Sequence, residues 1–225
     1  MEYAKLGNTD IEVSKLCIGC MSFGKAGTMH DWTLDAQESE KVIKHALDLG
    51  INFFDTANCY SAGTSEEYLG QALKKNVARD KVVIASKVYF NEGRLSKAAI
   101  EREIDGSLKR LGTDYLDLYI IHRFDFDTPI EETMGALADI VRQGKALYVG
   151  ISNYDANQTR KALAVLKEHK VPCLIHQARY SMFDRWTEPD LLPVLKEEGV
   201  GMIAFSPLAQ GLLTDKYLRG IPENS

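Results

Sequence analysis

The sequence predicts an α/β protein folded as a (β/α)8 TIM barrel with an N-terminal β-hairpin. Three observations predict it. Apolar runs of strand length alternate with amphipathic helical patterns through almost the whole chain. The runs are nearly continuous rather than alternating, as parallel strands buried on both faces must be. Single ionisable residues end successive runs, at the barrel end that carries active-site side chains.

Composition sets the outer bounds. A chain of 225 residues with 45% hydrophobic side chains can bury one sizeable core, so residues 1–225 read as a single domain. Twenty-seven basic against thirty-two acidic side chains give a net charge of −5. Like charges gather no further than pairs such as Lys74 and Lys75, which argues against nucleic acid or an anionic membrane as a partner. Met1-Glu2-Tyr3-Ala4-Lys5 has no apolar signal core, and no run reaches the length of a membrane span; a cytoplasmic location is expected. Cys17, Cys20, Cys59 and Cys173 are too few for a disulfide framework. Cys17-Ile18-Gly19-Cys20 runs from an apolar strand into a turn rather than into a helix N-terminus, and no second C-x-x-C completes a zinc site. No metal is expected.

The opening, 3–14, reads as two short strands around Gly7-Asn8-Thr9-Asp10, a hairpin signal. Parallel strands are expected at 16–19, 51–57, 81–88, 116–122, 146–153, 174–181 and 201–207. Punctuation marks the helices between them. Thr64 with Glu67 reads as a capping box leading into Tyr68, Leu69, Ala72 and Leu73. Ser96 caps a helix carrying Ile100, Ile104, Leu108 and Leu111, and Gly112 ends it. Thr128-Pro129-Ile130-Glu131 reads as N-cap, N1 proline and capping-box glutamate ahead of Met134, Leu137, Ile140 and Val141. Gly50, Gly144 and Gly199 each separate a helix from the next strand.

That makes seven parallel strands where a closed barrel has eight. The loop-like Gly220-Ile221-Pro222-Glu223-Asn224-Ser225 follows soon after the seventh, so the barrel is expected to be incomplete at its C-terminal side. An open seven-stranded barrel exposes two edges, an unfavourable arrangement. The alternative is an open doubly wound sheet, but the first strand-to-helix turn has no G-x-G-x-x-G.

Four ionisable residues fall at one end of successive strands. Asp55 ends the second strand, with Tyr60 in the loop five residues on; Lys87 ends the third and His122 the fourth. A lysine at a barrel mouth is costly unless paired, and Asp55 on the neighbouring strand is the obvious partner. An ammonium beside Tyr60 would lower its phenol from about 10 and make it a usable general acid. His122 would stabilise charge developing on a carbonyl oxygen. Each residue also has a bland reading. Asp55 could cap a turn and Tyr60 be a half-buried loop aromatic; Lys87 could form a structural ion pair and His122 sit satisfied in the core. Their joint placement favours the chemical reading.

The segment Gly50-Ile51-Asn52-Phe53-Phe54-Asp55-Thr56-Ala57-Asn58-Cys59-Tyr60 resembles the signature of the aldo-keto reductase family, whose catalytic aspartate and tyrosine it contains. Lys87 in Ser86-Lys87-Val88, and His122 closing Leu116-Asp117-Leu118-Tyr119-Ile120-Ile121-His122, match the family's other two catalytic residues. Phe54-Asp55-Thr56-Ala57 and His122-Arg123 look most like the microbial branch that also resembles potassium-channel β subunits. The resemblance implies NADP(H)-dependent, reversible reduction of an aldehyde or ketone, the proton coming from Tyr60.

The same resemblance implies the cofactor contacts. Ser152, Asn153 and Gln177 match the residues that hold the nicotinamide carboxamide, and Phe205 the aromatic that stacks on its ring. Ser206-Pro207-Leu208-Ala209-Gln210-Gly211 matches the loop along the pyrophosphate, with Ser206, Pro207, Leu208, Gln210 and Gly211 as its contacts. Gly19, Met21 and Asp55 face the cofactor from the first two strand ends. Trp32, Tyr89, Phe90 and Arg123 line the pocket for the small carbonyl substrate by position. The family's eighth strand, its 2′-phosphate grip and its substrate loop would all follow residue 225. The oligomeric state is left open.

Two other readings compete. A desolvated lysine ending a barrel strand is what a Schiff-base aldolase needs, but Asp55 would hold the amine protonated. The likeness to channel β subunits allows a nicotinamide-binding, redox-sensing partner protein with little turnover.

Overall fold

The computed structural model describes residues 1–223; the last two residues of the expected tail, Asn224 and Ser225, lie outside the described residues. A two-stranded antiparallel hairpin, β1 (Tyr3–Lys5) and β2 (Glu12–Ser14), precedes a parallel sheet. The sheet strands are β3 (Ile18–Gly19), β4 (Phe53–Asp55), β5 (Val83–Val88), β6 (Leu116–Ile121), β7 (Ala146–Ser152), β8 (Cys173–Arg179) and β9 (Gly201–Phe205). Their spatial order is their chain order, every neighbouring pair is parallel, and β3 and β9 are the edges. Helices α1 (Ala36–Asp48), α2 (Thr64–Asn76), α3 (Lys97–Leu111), α4 (Ile130–Arg142), α5 (Ala156–Glu168) and α6 (Leu191–Glu198) connect consecutive strands from β3 to β9. This is the sequential winding of a (β/α)8 barrel, seven of whose strands are described. The strands are shorter than the apolar runs; residues past their ends turn into the loops that build the site.

Two cores flank the sheet. Phe54, Ile84, Tyr119, Ile121, Val149 and Ile151 face the helices and pack with Leu69, Ile100, Ile104 and Leu137. Phe53, Val83, Ala85, Leu118, Ile120 and Ile175 face the barrel axis. Leu6 and Val13 of the hairpin join that inner core, so the hairpin stoppers the N-terminal end. Its turn runs close under β8: Gly7 adopts φ +55°, and a Cβ there would lie 3.0 Å from the Leu174 carbonyl. Cys17 packs with the inner core and Cys20 with the outer one, and both are free thiols.

The helix punctuation holds in part. Ser96 accepts from Ala99 N as the N-cap of α3, and Gly112 ends that helix in the left-handed region. Gly50, Gly144 and Gly199 also take positive φ after helices. Two caps differ. Pro129, not Thr128, is the N-cap of α4, because the Thr128 hydroxyl turns back to donate to Asp125 Oδ2 at 2.8 Å. Helix α2 starts at Thr64 behind Gly63, and the Thr64 hydroxyl donates to the Ser61 carbonyl instead of closing a capping box. Among the described residues, no helix is long and apolar enough to cross a membrane.

Candidate active site

Side chains alternate sides along a strand, so the residues on the parity of the inner core point along the barrel axis. Asp55 continues the row from Phe53, Lys87 the row from Val83 and Ala85, and His122 the row from Leu118 and Ile120. Gln177 likewise follows Ile175, and Phe205 follows Ile203. Period-two placement therefore delivers a polar or aromatic side chain from each of these five strands to a common mouth.

Three of the four expected catalytic residues touch. The Lys87 ammonium, fully buried, donates to Asp55 Oδ2 at 2.6 Å, to the Thr56 carbonyl at 2.8 Å and to the Tyr60 hydroxyl at 3.3 Å. Burial alone would push Lys87 down, but Asp55 and Tyr60 hold it above its ordinary value, so it stays charged. His122 stands edge-on to Tyr60, ring centroids 5.7 Å apart, and edge-on to Phe90 at 5.1 Å. Burial, with the Lys87 and Arg123 charges, pushes its imidazole down to about 3, so it is neutral at physiological pH. The sequence predicts a Tyr60 phenol lowered by a neighbouring ammonium. The ammonium is present and pulls downward, but burial pushes upward harder, and the phenol stands above its ordinary value.

Backbone geometry aims Tyr60. It opens a short 3-10 turn, Tyr60–Gly63, in which Ser61 (φ +46°), Ala62 (φ +54°) and Gly63 (φ +89°) are successively left-handed. Two non-glycine residues in that region carry real strain, which a folded protein keeps only where the surroundings enforce it. Here Gly24 makes the room: a Cβ on it would come within 2.3 Å of Ser61 Cβ.

The expected carboxamide set lies on the next two strand ends. Ser152 and Gln177 are buried register partners on β7 and β8. Asn153, left-handed at φ +58°, donates from Nδ2 to the His122 carbonyl and to Ser152 Oγ, each at 3.0 Å. The Gln177 side-chain amide has no hydrogen-bond partner among the described residues, and Asp55 Oδ1 is buried without one. A primary amide both donates and accepts, and Ser152, Asn153 and Gln177 supply both capacities at one place. Phe205 offers a ring at the end of β9. The loop after it carries Ser206, Ala209, Gln210 and Gly211 at positive φ, and its Pro207, Leu208 and Gln210 are exposed. Gly19 is bordered by open space, and Met21 is partly exposed beside it.

A cleft of about 580 Å³ opens over this mouth, lined by His122, Asn153 and Phe205 from the expected set. Phe90 and Arg123 of the expected substrate residues line it too. Tyr89 and Trp32 do not: Tyr89 packs edge-on under Phe90, and Trp32 stacks on His30 in the loop after β3. Arg179 and Trp186 complete the wall and were not anticipated. Arg179 ends β8 on the same parity as Ile175 and Gln177, so the strand period could have found it; Trp186 comes from the β8–α6 connection, whose path no periodicity encodes. Arg179 is paired with Asp184, whereas Arg123 has no ion pair or hydrogen bond among the described residues.

Comparison with known proteins agrees with this architecture. The model of the aldo/keto reductase family matches residues 15–225. The chain is 42% identical over 239 residues to the L-glyceraldehyde 3-phosphate reductase of Escherichia coli (strain K12), an alignment covering 100% of this chain and 66% of that protein. It thus spans just under two thirds of that relative's length. It is 40% identical to the versiconal hemiacetal acetate reductase of Aspergillus parasiticus, covering 95% of this chain and 69% of that one. A protein of Oryza sativa subsp. japonica named a probable voltage-gated potassium channel subunit beta is 36% identical, covering 100% and 70%. Among solved structures, a thermostable aldo-keto reductase crystallised with the inhibitor epalrestat superposes with a TM-score of 0.84 at 35% identity, covering 96% of this chain and 76% of that one.

Proposed function

The chain belongs to the aldo/keto reductase family, an oxidoreductase family, and from that premise we propose that it reduces an aldehyde or ketone to the alcohol with NADP(H). The observation that carries this reading is the Asp55–Lys87–Tyr60 contact beside a neutral His122, at the mouth of one barrel. Every strand from β3 to β9 contributes to that mouth, which supports treating 1–225 as a single domain.

Ser152, Asn153 and Gln177 would hold the nicotinamide carboxamide, and Phe205 would lie against the ring. The turn at Ser206–Gly211 would lie along the pyrophosphate; its Ala209 and Gly211 N–H groups are used inside the turn, and the exposed Pro207, Leu208 and Gln210 are the residues open to a ligand. Gly19, Met21 and the free oxygen of Asp55 border the same space. When bound, the cofactor supplies a hydride to the carbonyl carbon. The preference for NADP over NAD follows the family resemblance and is open to direct titration.

The protein's own work is on the oxygen. Tyr60 donates its proton as the carbonyl oxygen gains charge. Its raised phenol is no obstacle, because an alkoxide is a far stronger base than a phenolate. Lys87 holds positive charge 3.3 Å from the tyrosine oxygen, and that stabilises the phenolate left behind. Asp55 keeps Lys87 charged and in place. His122, being neutral, can donate a hydrogen bond to the oxygen without competing as an acid.

Arg123 narrows the substrate. A cation without a partner among the described residues, in a cleft with aromatic walls, favours a short carbonyl compound bearing a carboxylate or phosphate. The Escherichia coli relative is named for a phosphorylated aldehyde, in keeping with this. A slow, cofactor-binding partner role is the second reading, favoured by the rice relative's name. The Schiff-base reading loses ground, because Lys87 is held protonated by a carboxylate at 2.6 Å.

The test is titration with NADPH and NADH, then turnover against small aldehydes with and without an anionic group, beside Tyr60→Phe. Cofactor binding with turnover that Tyr60→Phe abolishes supports the reductase. Binding without turnover favours the partner role.

A further inference from the structure

The side of a barrel sheet that faces the helices is ordinarily apolar, yet behind the active site it is polar and sealed. Ser65 and Glu66 in the first turn of α2 are fully buried, and so are Thr56 and Ser86 on the sheet opposite them. Ser65 Oγ donates to the Cys20 carbonyl at 2.6 Å. That uses its one proton, so Thr56 is the donor in the 3.0 Å contact between the two hydroxyls. The Glu66 carboxylate accepts from Ser86 Oγ at 2.5 Å and from Arg110 Nε at 2.6 Å. The Arg110 stem in turn lies against Gly63, where a Cβ would meet its Cδ at 2.7 Å.

What these groups hold follows from the chain. Thr56 is the residue after Asp55, and Ser86 is the residue before Lys87. Cys20 lies between Gly19 and Met21. Two adjacent residues of a single helical turn thus grip three strand ends at once. The same turn is joined through the strained Ser61–Ala62–Gly63 run to Tyr60. A buried ion pair such as Glu66–Arg110 is weak evidence of stability, because apolar packing of similar volume often serves as well.

We infer that Ser65 and Glu66 are positioning residues: touching no reacting atom, they set the separation of Asp55 from Lys87 and of Lys87 from Tyr60. This rests on the reading of those three side chains as reductase machinery. It differs from a stability role in what it makes measurable. If α2 loosens from the sheet, Tyr60 drifts from the ammonium, and its phenol loses the one influence that pulls it down.

The experiment compares Glu66→Gln and Ser65→Ala with a control, Asp117→Asn. Asp117 is also buried, accepting from Arg79 at 2.7 Å and from Ile84 N at 2.9 Å, but at the start of β6, the far end of the barrel. Four quantities are read from each full chain: Tm, the Kd for NADPH, kcat, and the ionisation of Tyr60. The last is taken as the ultraviolet titration difference between each protein and the same protein carrying Tyr60→Phe. Glu66→Gln is expected to lower kcat about tenfold or more while Kd changes by no more than about twofold. It should also move the Tyr60 ionisation upward. Asp117→Asn should lower Tm and leave kcat and the titration unchanged. The inference is overturned if Glu66→Gln changes Tm alone, or if Asp117→Asn shifts the Tyr60 titration as far. Should Glu66→Gln fail to fold, Ser65→Ala, which removes one hydroxyl, carries the same readouts. If the unsubstituted chain reduces no carbonyl, the reductase reading fails, and the Tyr60 titration still decides this one.

Discussion

Asn153 holds His122 from behind: its side-chain amide donates to the His122 backbone carbonyl at 3.0 Å, across the gap between the ends of β6 and β7. It does so from a left-handed backbone, φ +58°, that asparagine tolerates better than most residues. Two substitutions separate the roles. Asn153→Ala loses the hydrogen bond and adds strain of about 1–2 kcal/mol. Asn153→Gly relieves the strain and still loses the bond. Activity falling in both, with stability falling mainly in Asn153→Ala, is the expected pattern in paired kinetic and thermal assays. Full activity in Asn153→Gly would show that His122 needs no such brace.

Tyr60→Phe is expected to lower kcat by about 10²–10⁴-fold, the usual worth of a positioned proton donor, with cofactor affinity little changed. Pre-steady-state and steady-state rates beside a binding titration check this. A residual rate near that of the unsubstituted protein would assign the proton to another group.

Lys87→Met removes one partner of a buried pair and leaves the Asp55 charge uncompensated. Destabilisation of about 3–5 kcal/mol is expected by denaturant unfolding. Lys87→Met combined with Asp55→Asn should recover part of that stability and none of the activity. Equal destabilisation in the single and double variants would contradict the pairing.

The pH dependence has two signs. His122 and His176 are both pushed down by burial, to about 3 and about 4, from an ordinary 6.5. The unfolded chain therefore takes up protons below about pH 6.5 that the folded one refuses. Stability should be level above that and fall as pH drops toward 4, more gently in His122→Gln. Activity behaves differently. The raised Tyr60 phenol stays protonated through neutral and mildly alkaline pH, so carbonyl reduction should hold its rate there. Alcohol oxidation needs the phenolate and should climb with pH over the same range. A reduction rate that collapses near neutrality would mean the acid is not Tyr60.

Arg123→Leu is expected to raise KM about tenfold for a phosphorylated or carboxylated aldehyde and to leave an uncharged aldehyde unaffected. Parallel kinetics on the two substrates decide it; equal losses on both would place Arg123 in the fold rather than in recognition.

Much of this was legible because two simple rules coincide. Continuous apolar runs mark buried parallel strands, and a charge closing such a run, as at Asp55, Lys87 and His122, is conspicuous. Local signals failed where a side chain had a better partner elsewhere. Thr128 preferred Asp125 to capping α4, and Thr64 preferred Ser61. Glu66 shows the deeper limit. A glutamate in a first helical turn reads as a solvent-facing complement to the helix dipole, and only the tertiary fold reveals Ser86 and Arg110 around it. Trp186 entered the cleft on a connection with no period to read, while Trp32 found a stacking partner in His30; Arg179, which ends β8 in step with Gln177, was within reach of the strand rule.

The parity of the strands has one more consequence. Each of five strands gives the mouth a residue that sits on the same face as its inner-core side chains, so a slip of one position would exchange Lys87 for Ser86 and His122 for Ile121 while leaving an apolar strand in place. Such a misfolded chain could be compact and still show native-like secondary structure by spectroscopy. Catalysis would be blind to none of these errors. In a refolding experiment, the fraction of activity regained would count the molecules whose strands have all landed in phase.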